Sequence, residues 1–394
     1  MPASPSTARA INDRLALRLL QDEGPLTAGQ LKTMTGLSRP TVADLVERLQ
    51  ESGLVRVVGE TGARRRGPNA RLYGIAADRA HLAALDVRLR SVSVVVTDLV
   101  GETLAEATLP MGDGTGTGPA VERAASLLES TARKAGVGHL HTVGIGAPGL
   151  IDPATSELRD STGLPAWHRR LVTVLQERLP ATVLVENETN LAAVAEQRQG
   201  AARDRDTFVL LWLGHGVGAA VVLDGRLRRG ASGGAGEIGF LPVPGTAGLP
   251  SATDCDGGFH SLAGSSAIRD LAREYGFGAA EGNLEPSGAS AVRAALAGGP
   301  SPRGDAFLDA LADRLALGVA AVSSVLDPGC VVLGGETGHA GGAALAGRVE
   351  KRLAALTPLR TEVRASGLGG AAVLRGALFM SRDAAQDELF PGGA

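Results

Sequence analysis

Two polar clusters near the start of the chain carry the donors needed to read nucleic acid. Arg39 and Thr41 lie within the segment Thr35 to Leu49, TGLSRPTVADLVERL, and Arg64, Arg65 and Arg66 follow fifteen residues after it. An arginine or threonine at a helix start can hydrogen-bond base edges in the major groove, whereas loop arginines meet phosphates or enter a minor groove. Local rules indicate what would present them. Gly36 permits a sharp turn, and Ser38 can cap the second helix by accepting its free N–H groups. Pro40 suits a first turn, where its missing donor costs little. Val42, Leu45, Val46 and Leu49 then share one buried face.

The helix before the turn, Ala28 to Met34, can begin at Thr27, and an amphipathic helix upstream is expected to carry Ile11, Leu15, Leu19 and Leu20 into the same core. Leu54 to Val58 and Arg71 to Ile75 alternate and read as a hairpin whose tip is Thr61 to Ala70. Residues 1–77 are thus predicted to form a winged helix-turn-helix, with Ser38, Arg39, Pro40, Thr41, Arg64, Arg65 and Arg66 at DNA. This head holds eleven Lys and Arg against seven Asp and Glu, a surplus of four, while the whole chain carries a formal net charge of −3. A basic head on an acidic body fits nucleic-acid contact by the head alone. The alternative is a helical hairpin for protein contacts. Lysine occurs only at 32, 134 and 351, so an arginine-rich loop is less telling here than elsewhere.

At 394 residues and 44% hydrophobic content, the chain can build two or three domains with proper cores. No apolar run approaches the roughly twenty residues of a membrane span, and the start MPASPSTARA lacks the core of a signal peptide. Cys255 and Cys330 form no disulfide framework or CxxC pair. A cytoplasmic, reducing location is the expectation. Beyond Ala77 strands alternate with helices: His81 to Val87, Ser91 to Asp98 and Glu102 to Leu109, then a helix from Val121 to Ala135. Three strands recur at Thr207 to Leu213, Gly218 to Leu223 and Arg226 to Arg229, with Asp224-Gly225 as a hairpin turn. A helix from Asp305 to Leu326 leads into the strand Cys330 to Leu333. The repetition predicts an α/β body of two similar lobes around a cleft, residues 78–202 and 203–394, with the C-terminal helix free to return to the first. Gly276 to Gly304, rich in Gly, Ala, Ser and Pro, reads as a surface insertion.

Five stretches in order resemble the ROK family of repressors, open reading frames and sugar kinases: RRRGPNARLY in the wing, GIGAPGLID at 144–152, VENETNLAAVAE at 185–196, GHGVGAAVVLDGRLRRGASGGAGEIG at 214–239 and DPGCVVLGG at 327–335. The resemblance implies an actin-like, hexokinase-like body behind the winged head. A dinucleotide-fold reading of GIGAPG is poorer, because Pro148 stands where a helix would have to start.

Departures from the family's kinases shape the functional expectation. Their first hairpin carries Asp-x-Gly-Gly-Thr-Lys, whose glycines let the backbone approach nucleotide phosphates. Here the stretch is Asp86-Val87-Arg88-Leu89-Arg90-Ser91, so ATP binding is not expected; Arg88 and Arg90 could attract an anion, but exposed hairpin arginines are more often solvated, and they are read so. The family's catalytic aspartate, in Asn-Asp-x-Asn, becomes Glu188 between Asn187 and Asn190, which lengthens the carboxylate by one methylene. The resemblance places Asn187, Glu188 and Glu237 at a bound small molecule; alternatively, Glu186 and Glu188 only cap the following helix. Of the family's four structural-zinc ligands, Phe240 and Thr253 replace two, leaving Cys255 and His260 as remnants. No zinc is expected, because a tetrahedral site needs all four, and packing around Phe240 and Phe259 is expected in its place. Phe240, Leu262 and Gly163 also remove three polar sugar contacts.

The combined expectation is a non-enzymatic, cofactor-free transcriptional regulator, a repressor. It would bind double-stranded DNA at an inverted repeat as a homodimer or homotetramer, and answer to a sugar-like or less polar effector. The alternatives are a bifunctional sugar kinase with a DNA-binding head, and a DNA-binding regulator whose cleft no longer takes a ligand.

Overall fold

The computed structural model describes residues 5–60, 70–112, 114–159, 165–251, 253–254, 256–278 and 284–390. The first six elements are α1 (Pro5–Asp22), β1 (Leu26–Thr27), α2 (Ala28–Thr35), α3 (Arg39–Glu51), β2 (Val55–Glu60) and β3 (Arg71–Ile75). The strands form an antiparallel sheet in the order β1-β3-β2. Val42, Leu45, Val46 and Leu49 of α3 are buried together with Leu31 of α2 and Leu54, Val55 and Ile75 of the hairpin. The inward stripe of α1 differs from expectation. Ile11 and Leu15 are 57% and 39% exposed, whereas Asp13, Ala16, Leu17 and Leu20 are buried. Arg48 of α3 explains the rotation: it donates to Asp13 at 2.6 Å, drawing that polar position inward beside the two apolar neighbours Ala16 and Leu17. The hairpin tip with Arg64, Arg65 and Arg66 lies outside the described residues.

The next elements are β4 (His81–Val87), β5 (Ser91–Asp98), β6 (Thr103–Pro110), α4 (Thr117–Lys134), β7 (Thr142–Ala147), α5 (Trp167–Arg178), β8 (Thr182–Asn187) and α6 (Glu188–Gln199). They are followed by β9 (Phe208–Leu213), β10 (Val217–Leu223), β11 (Arg226–Arg228), α7 (His260–Ala263), α8 (Ser265–Glu274), α9 (Ser287–Leu296) and α10 (Pro302–Leu326). The last are β12 (Cys330–Gly334), α11 (Gly335–Leu356, interrupted at Gly342), β13 (Glu362–Ala365) and α12 (Ala372–Leu389). Two five-stranded mixed sheets result, ordered β6-β5-β4-β7-β8 and β11-β10-β9-β12-β13. Strand alternation sends Leu85, Val94 and Val96 toward α4 and α5 on one face of the first sheet. Its other face shares a core with the second sheet, where α6 and α12 lie between Ala84 and Val95 on one side and Phe208, Leu210 and Val332 on the other. Helices α8 to α11 cover the far face of the second sheet.

Gly276 to Gly304 is not wholly a surface insertion. Residues 287–296 form α9, with Gly288, Ala289, Ala291, Val292 and Ala295 buried. Its Ala-rich composition, which resembles low complexity, is that of a good helix former with small side chains, and the Gly288 Cα side abuts Ile268 and Ser265 of α8.

Helix α12 returns from the end of the second sheet to the first. The glycines of GIGAPG make room for it: a Cβ at Gly144 would lie 2.5 Å from Ala377 O, and one at Gly146 would lie 2.6 Å from Val373. Ser381 then donates to Ala83 O at 3.0 Å. At its far end α12 leaves the body. Ala385 and Phe390 sit in the same core as Leu17, Leu20 and Leu31, with Leu82 and Leu99 of the first sheet joining them. Between α12 and α6 the contact is closer still, since a Cβ on Gly376 would fall 2.1 Å from Leu191 O. Gly376→Ala is therefore expected to destabilise the protein by about 1–3 kcal/mol through overpacking, read as a lowered urea midpoint; an unchanged midpoint would show the two helices to be less tightly seated.

Candidate functional site

The turn between α2 and α3 is built from three local devices. Thr27 and Gln30 form a reciprocal cap at the start of α2, with N–H to oxygen distances of 3.2 and 2.9 Å. Gly36 takes a left-handed φ of 70° and donates to Lys32 O at 3.0 Å, closing α2. Ser38 caps α3 by accepting the Thr41 N–H at 3.3 Å, and Pro40 occupies the first turn. Ser38, Arg39 and Pro40 are exposed. Arg39 has no ion-pair partner among the described residues, so its guanidinium is available at the helix start. Thr41 projects less than expected: it is half-buried, and its hydroxyl lies 2.7 Å from the Ser38 hydroxyl, so it shares in the cap.

The second cluster lies between the two sheets, and Arg88 is its centre. Contrary to the solvated reading, Arg88 donates to Asp86 Oδ2 at 2.8 Å, to Gly370 O at 2.9 Å, and to Glu336. Asp86 is the penultimate residue of β4, Glu336 lies in the first turn of α11 directly behind the glycines of DPGCVVLGG, and Gly370 lies in the turn before α12. The guanidinium thus stands at the hairpin where the family's kinases present phosphate-binding glycines, and it ties that hairpin to the second half of the chain. Burial disfavours its charge, but Asp86 and Glu336 outweigh this and hold its pKa above the usual value. Asp86 is buried, with Oδ1 lacking any hydrogen-bond partner; burial raises its pKa, Arg88 opposes this, and Glu336 adds to it.

Glu188 enters the same field. It is the first residue of α6, and its carboxyl is pushed up to about 8 by burial and then by Asp86, with Arg88 opposing and Glu336 adding. The Trp212 indole favours the charged form slightly, yet its N–H meets no acceptor at hydrogen-bond distance. Three carboxyls around one guanidinium leave the site with excess negative charge, and a proton on Glu188 relieves it. A protonated carboxyl is a hydrogen-bond donor, so near neutral pH Glu188 can present a donor as well as an acceptor.

The capping expectation for Glu186 and Glu188 is corrected. Asn187 caps α6, accepting the Thr189 and Asn190 N–H groups at 2.8 and 3.3 Å, because its short amide reaches back to the first turn as neither glutamate does. Its amide nitrogen donates to Gly149 O at 2.8 Å. Asn187 therefore offers little free hydrogen-bonding capacity to a ligand. Glu186 is buried and accepts from the Asn190 amide at 3.0 Å and from Arg229 Nε at 2.6 Å. Glu237 is exposed just before a short helical turn, Ile238–Phe240. Close glycines bring its loop to α6: a Cβ on Gly218 would lie 3.6 Å from Thr189 Oγ1 and 4.0 Å from Gly236 O. Glu188 and Glu237 thus flank one junction, with no hydrogen bond between them.

Phe240 does not pack as expected. It is 39% exposed at the end of its turn, while Phe259 is fully buried and presses on Gly318, where a Cβ would lie 2.4 Å from the ring. His260 is half-buried, with its pKa lowered chiefly by burial. Cys255 lies outside the described residues. Among the described residues no three His, Cys, Asp or Glu side chains converge as a metal site. Sequence reasoning missed Arg88, Glu336 and Trp212 as a unit; the available signal was that an arginine replaces a phosphate-loop glycine while a glutamate follows the matching Gly334-Gly335.

Glu188 gives a signed pH prediction. Its folded pKa lies above the unfolded value, so between roughly pH 4.5 and 8 the folded state binds more protons, and stability falls as pH rises. Glu188→Gln should match the wild-type Tm near pH 5 and exceed it at pH 8.5. A constant difference across that range would mean that Glu188 is ionised throughout.

Residues 82–384 match the model of the ROK family, and residues 11–66 match that of the MarR family. The chain is 27% identical over 245 residues to the N-acetylglucosamine repressor of Escherichia coli O157:H7, covering 60% of this chain and 58% of that protein. It is 32% identical over 219 residues to a glucokinase of Thermotoga maritima, covering 50% of this chain and 65% of the enzyme. The chain thus spans less than two thirds of these relatives. Among solved structures, a ROK family transcriptional regulator, described as a homolog of the E. coli MLC protein, superposes with a TM-score of 0.75 over 98% of both chains at 21% identity, which shows the same fold. The family match extends over most of the body, from β4 to within α12, and on that ground the chain belongs to the ROK family.

Proposed function

We propose that this chain is a DNA-binding transcriptional regulator, acting as a repressor, in which a small molecule held between the two body lobes changes the affinity of the head for an operator. The working units are the head at 1–77 and lobes at 78–202 and 203–394. The observation that carries the reading is the continuity of α12: it begins next to the Gly370 carbonyl held by Arg88 and ends in the core of the head. A change in how the lobes meet therefore has a packed route to α3. The repressor relative supports this reading, and so does the exposed, capped helix start at Ser38, Arg39 and Pro40. Arg64, Arg65 and Arg66 would add wing contacts. Arg88 in place of phosphate-loop glycines favours a regulator over a kinase. No helix among the described residues is long and apolar enough to cross a membrane.

The effector would be sugar-like or less polar, contacting Glu188 and Glu237, with Asn187 chiefly shaping the helix start. A dimer would favour an inverted repeat with half-sites about one or two helical turns apart. Arg39→Ala is expected to lose roughly 1–3 kcal/mol of discrimination between operator and competitor DNA, measured by anisotropy at fixed salt. Equal affinity of the wild-type chain for all duplexes would overturn the regulator reading. In an effector titration, Glu188→Gln and Glu237→Gln should weaken the response while leaving effector-free operator binding intact; a normal response in both would move the sensing site elsewhere.

A further inference from the structure

A polar cavity of about 700 Å³ lies where the head meets the body, and it is lined by arginines from both. Arg14 and Arg18 come from α1, Arg198 and Arg203 from α6 and the turn after it, and Arg382 from α12. Only three acids line it, Asp22, Asp383 and Asp387. Two of these are engaged: Asp387 by Arg14 and Asp383 by Arg198. Arg18 and Arg203 are exposed and form no ion pair among the described residues. Arg382 is the least satisfied. Its guanidinium sits 5.1 Å from the Phe379 ring centre, as does that of Arg198, and its buried Nε has no hydrogen-bond partner. Burial lowers its pKa and Arg198 adds repulsion, while Asp383 and Asp22 oppose the shift. Asp383 and Asp22 oppose these two guanidiniums, and the positive excess comes from the lining as a whole, five arginines against three aspartates, with the Arg382 Nε unused.

We propose that this head–body cavity binds a small phosphorylated molecule, whose phosphate is held by Arg382, Arg18 and Arg203. Guanidinium forks match phosphate oxygens in geometry and charge. The occupant is compact rather than a nucleic acid. The lining aromatics, Phe379 and Phe390, are 5% and 4% exposed, so they offer no face on which bases could stack. Arg39 and Thr41 take no part in the lining. A ligand bridging α1 to α6 and α12 would stiffen the joint between head and body, so it would act on operator affinity from a site separate from the inter-lobe cleft.

Calorimetric titration of the full chain with inorganic pyrophosphate tests this without DNA or cleft ligand. One equivalent should bind, and hydrogen exchange should slow in the last turns of α1 and α12. Arg382→Gln is expected to weaken binding about tenfold or more. The double variant Arg18→Gln/Arg203→Gln, which alters only exposed side chains, should weaken it comparably even if Arg382→Gln folds poorly. Arg133→Gln, exposed on α4 away from this cavity, should leave binding unchanged. Equal weakening by Arg133→Gln, or unaltered binding in the double variant, would overturn the proposal, as would protection confined to the inter-lobe cleft.

Discussion

Helix α12 is the constraint on which the rest of the molecule depends. It is clamped along its first turns by glycines that permit contact no side chain would allow: Gly144 and Gly146 beneath it, and its own Gly376 against Leu191. Beyond Ser381 its last turns form part of the head's core through Ala385 and Phe390. One rigid element therefore belongs to two packed units, so the orientation of the head is fixed by core packing rather than by a linker. Close-packed interiors respond to displacement by shifting between discrete arrangements, which gives such an element the capacity to report on the body.

The start of α12 is set by a buried carboxylate. Glu196, fully buried in α6, accepts N–H groups from Ala201 at 2.7 Å and Leu368 at 3.1 Å, as well as the Ser366 hydroxyl. It thereby joins the crossing into the second sheet to the segment that leads out of it. A buried carboxylate is tolerated when its lone pairs are filled in this way. Gly200 allows the close turn, since a Cβ there would meet the Glu196 carboxylate. Two structural carboxylates thus hold the two ends of α6, Glu186 just before it with Arg229 and Glu196 in its last turn with backbone donors, and Asn187 caps its start.

Against this rigid frame the Arg88 cluster is the electrostatically unbalanced part. Asp86, Glu188 and Glu336 share one guanidinium, and Asp86 leaves an oxygen without a partner. Such a group costs stability unless protons or neighbours compensate, and it is sensitive to any displacement of its members. Because Asp86 lies in the first sheet and Glu336 lies in α11, just after the second sheet's β12, Arg88 is sensitive to their separation. The Arg88 side chain thus links the hairpin after β4 to the start of α11 and to the turn before α12.

Local sequence determined the elements wherever short-range chemistry decides. Thr27, Gly36, Ser38 and the spacing of Val42 to Leu49 define the turn and its buried face, since caps and apolar periodicity act within one or two helical turns. Strand alternation and Asp224-Gly225 likewise placed the sheets, and the ordered motifs indicated the family. What tertiary structure alone decided concerns partners distant in sequence. Asp13 faces inward because Arg48 waits there, at the expense of Ile11 and Leu15. Gly144 and Gly146 look like ligand-loop glycines but admit α12, more than two hundred residues later. Arg88 reads as a solvated hairpin residue until Glu336 and Gly370 are brought beside it. Burial and Coulomb interactions depend on which surfaces meet, and no local pattern around residue 88 specifies that residues 336 and 370 will meet it.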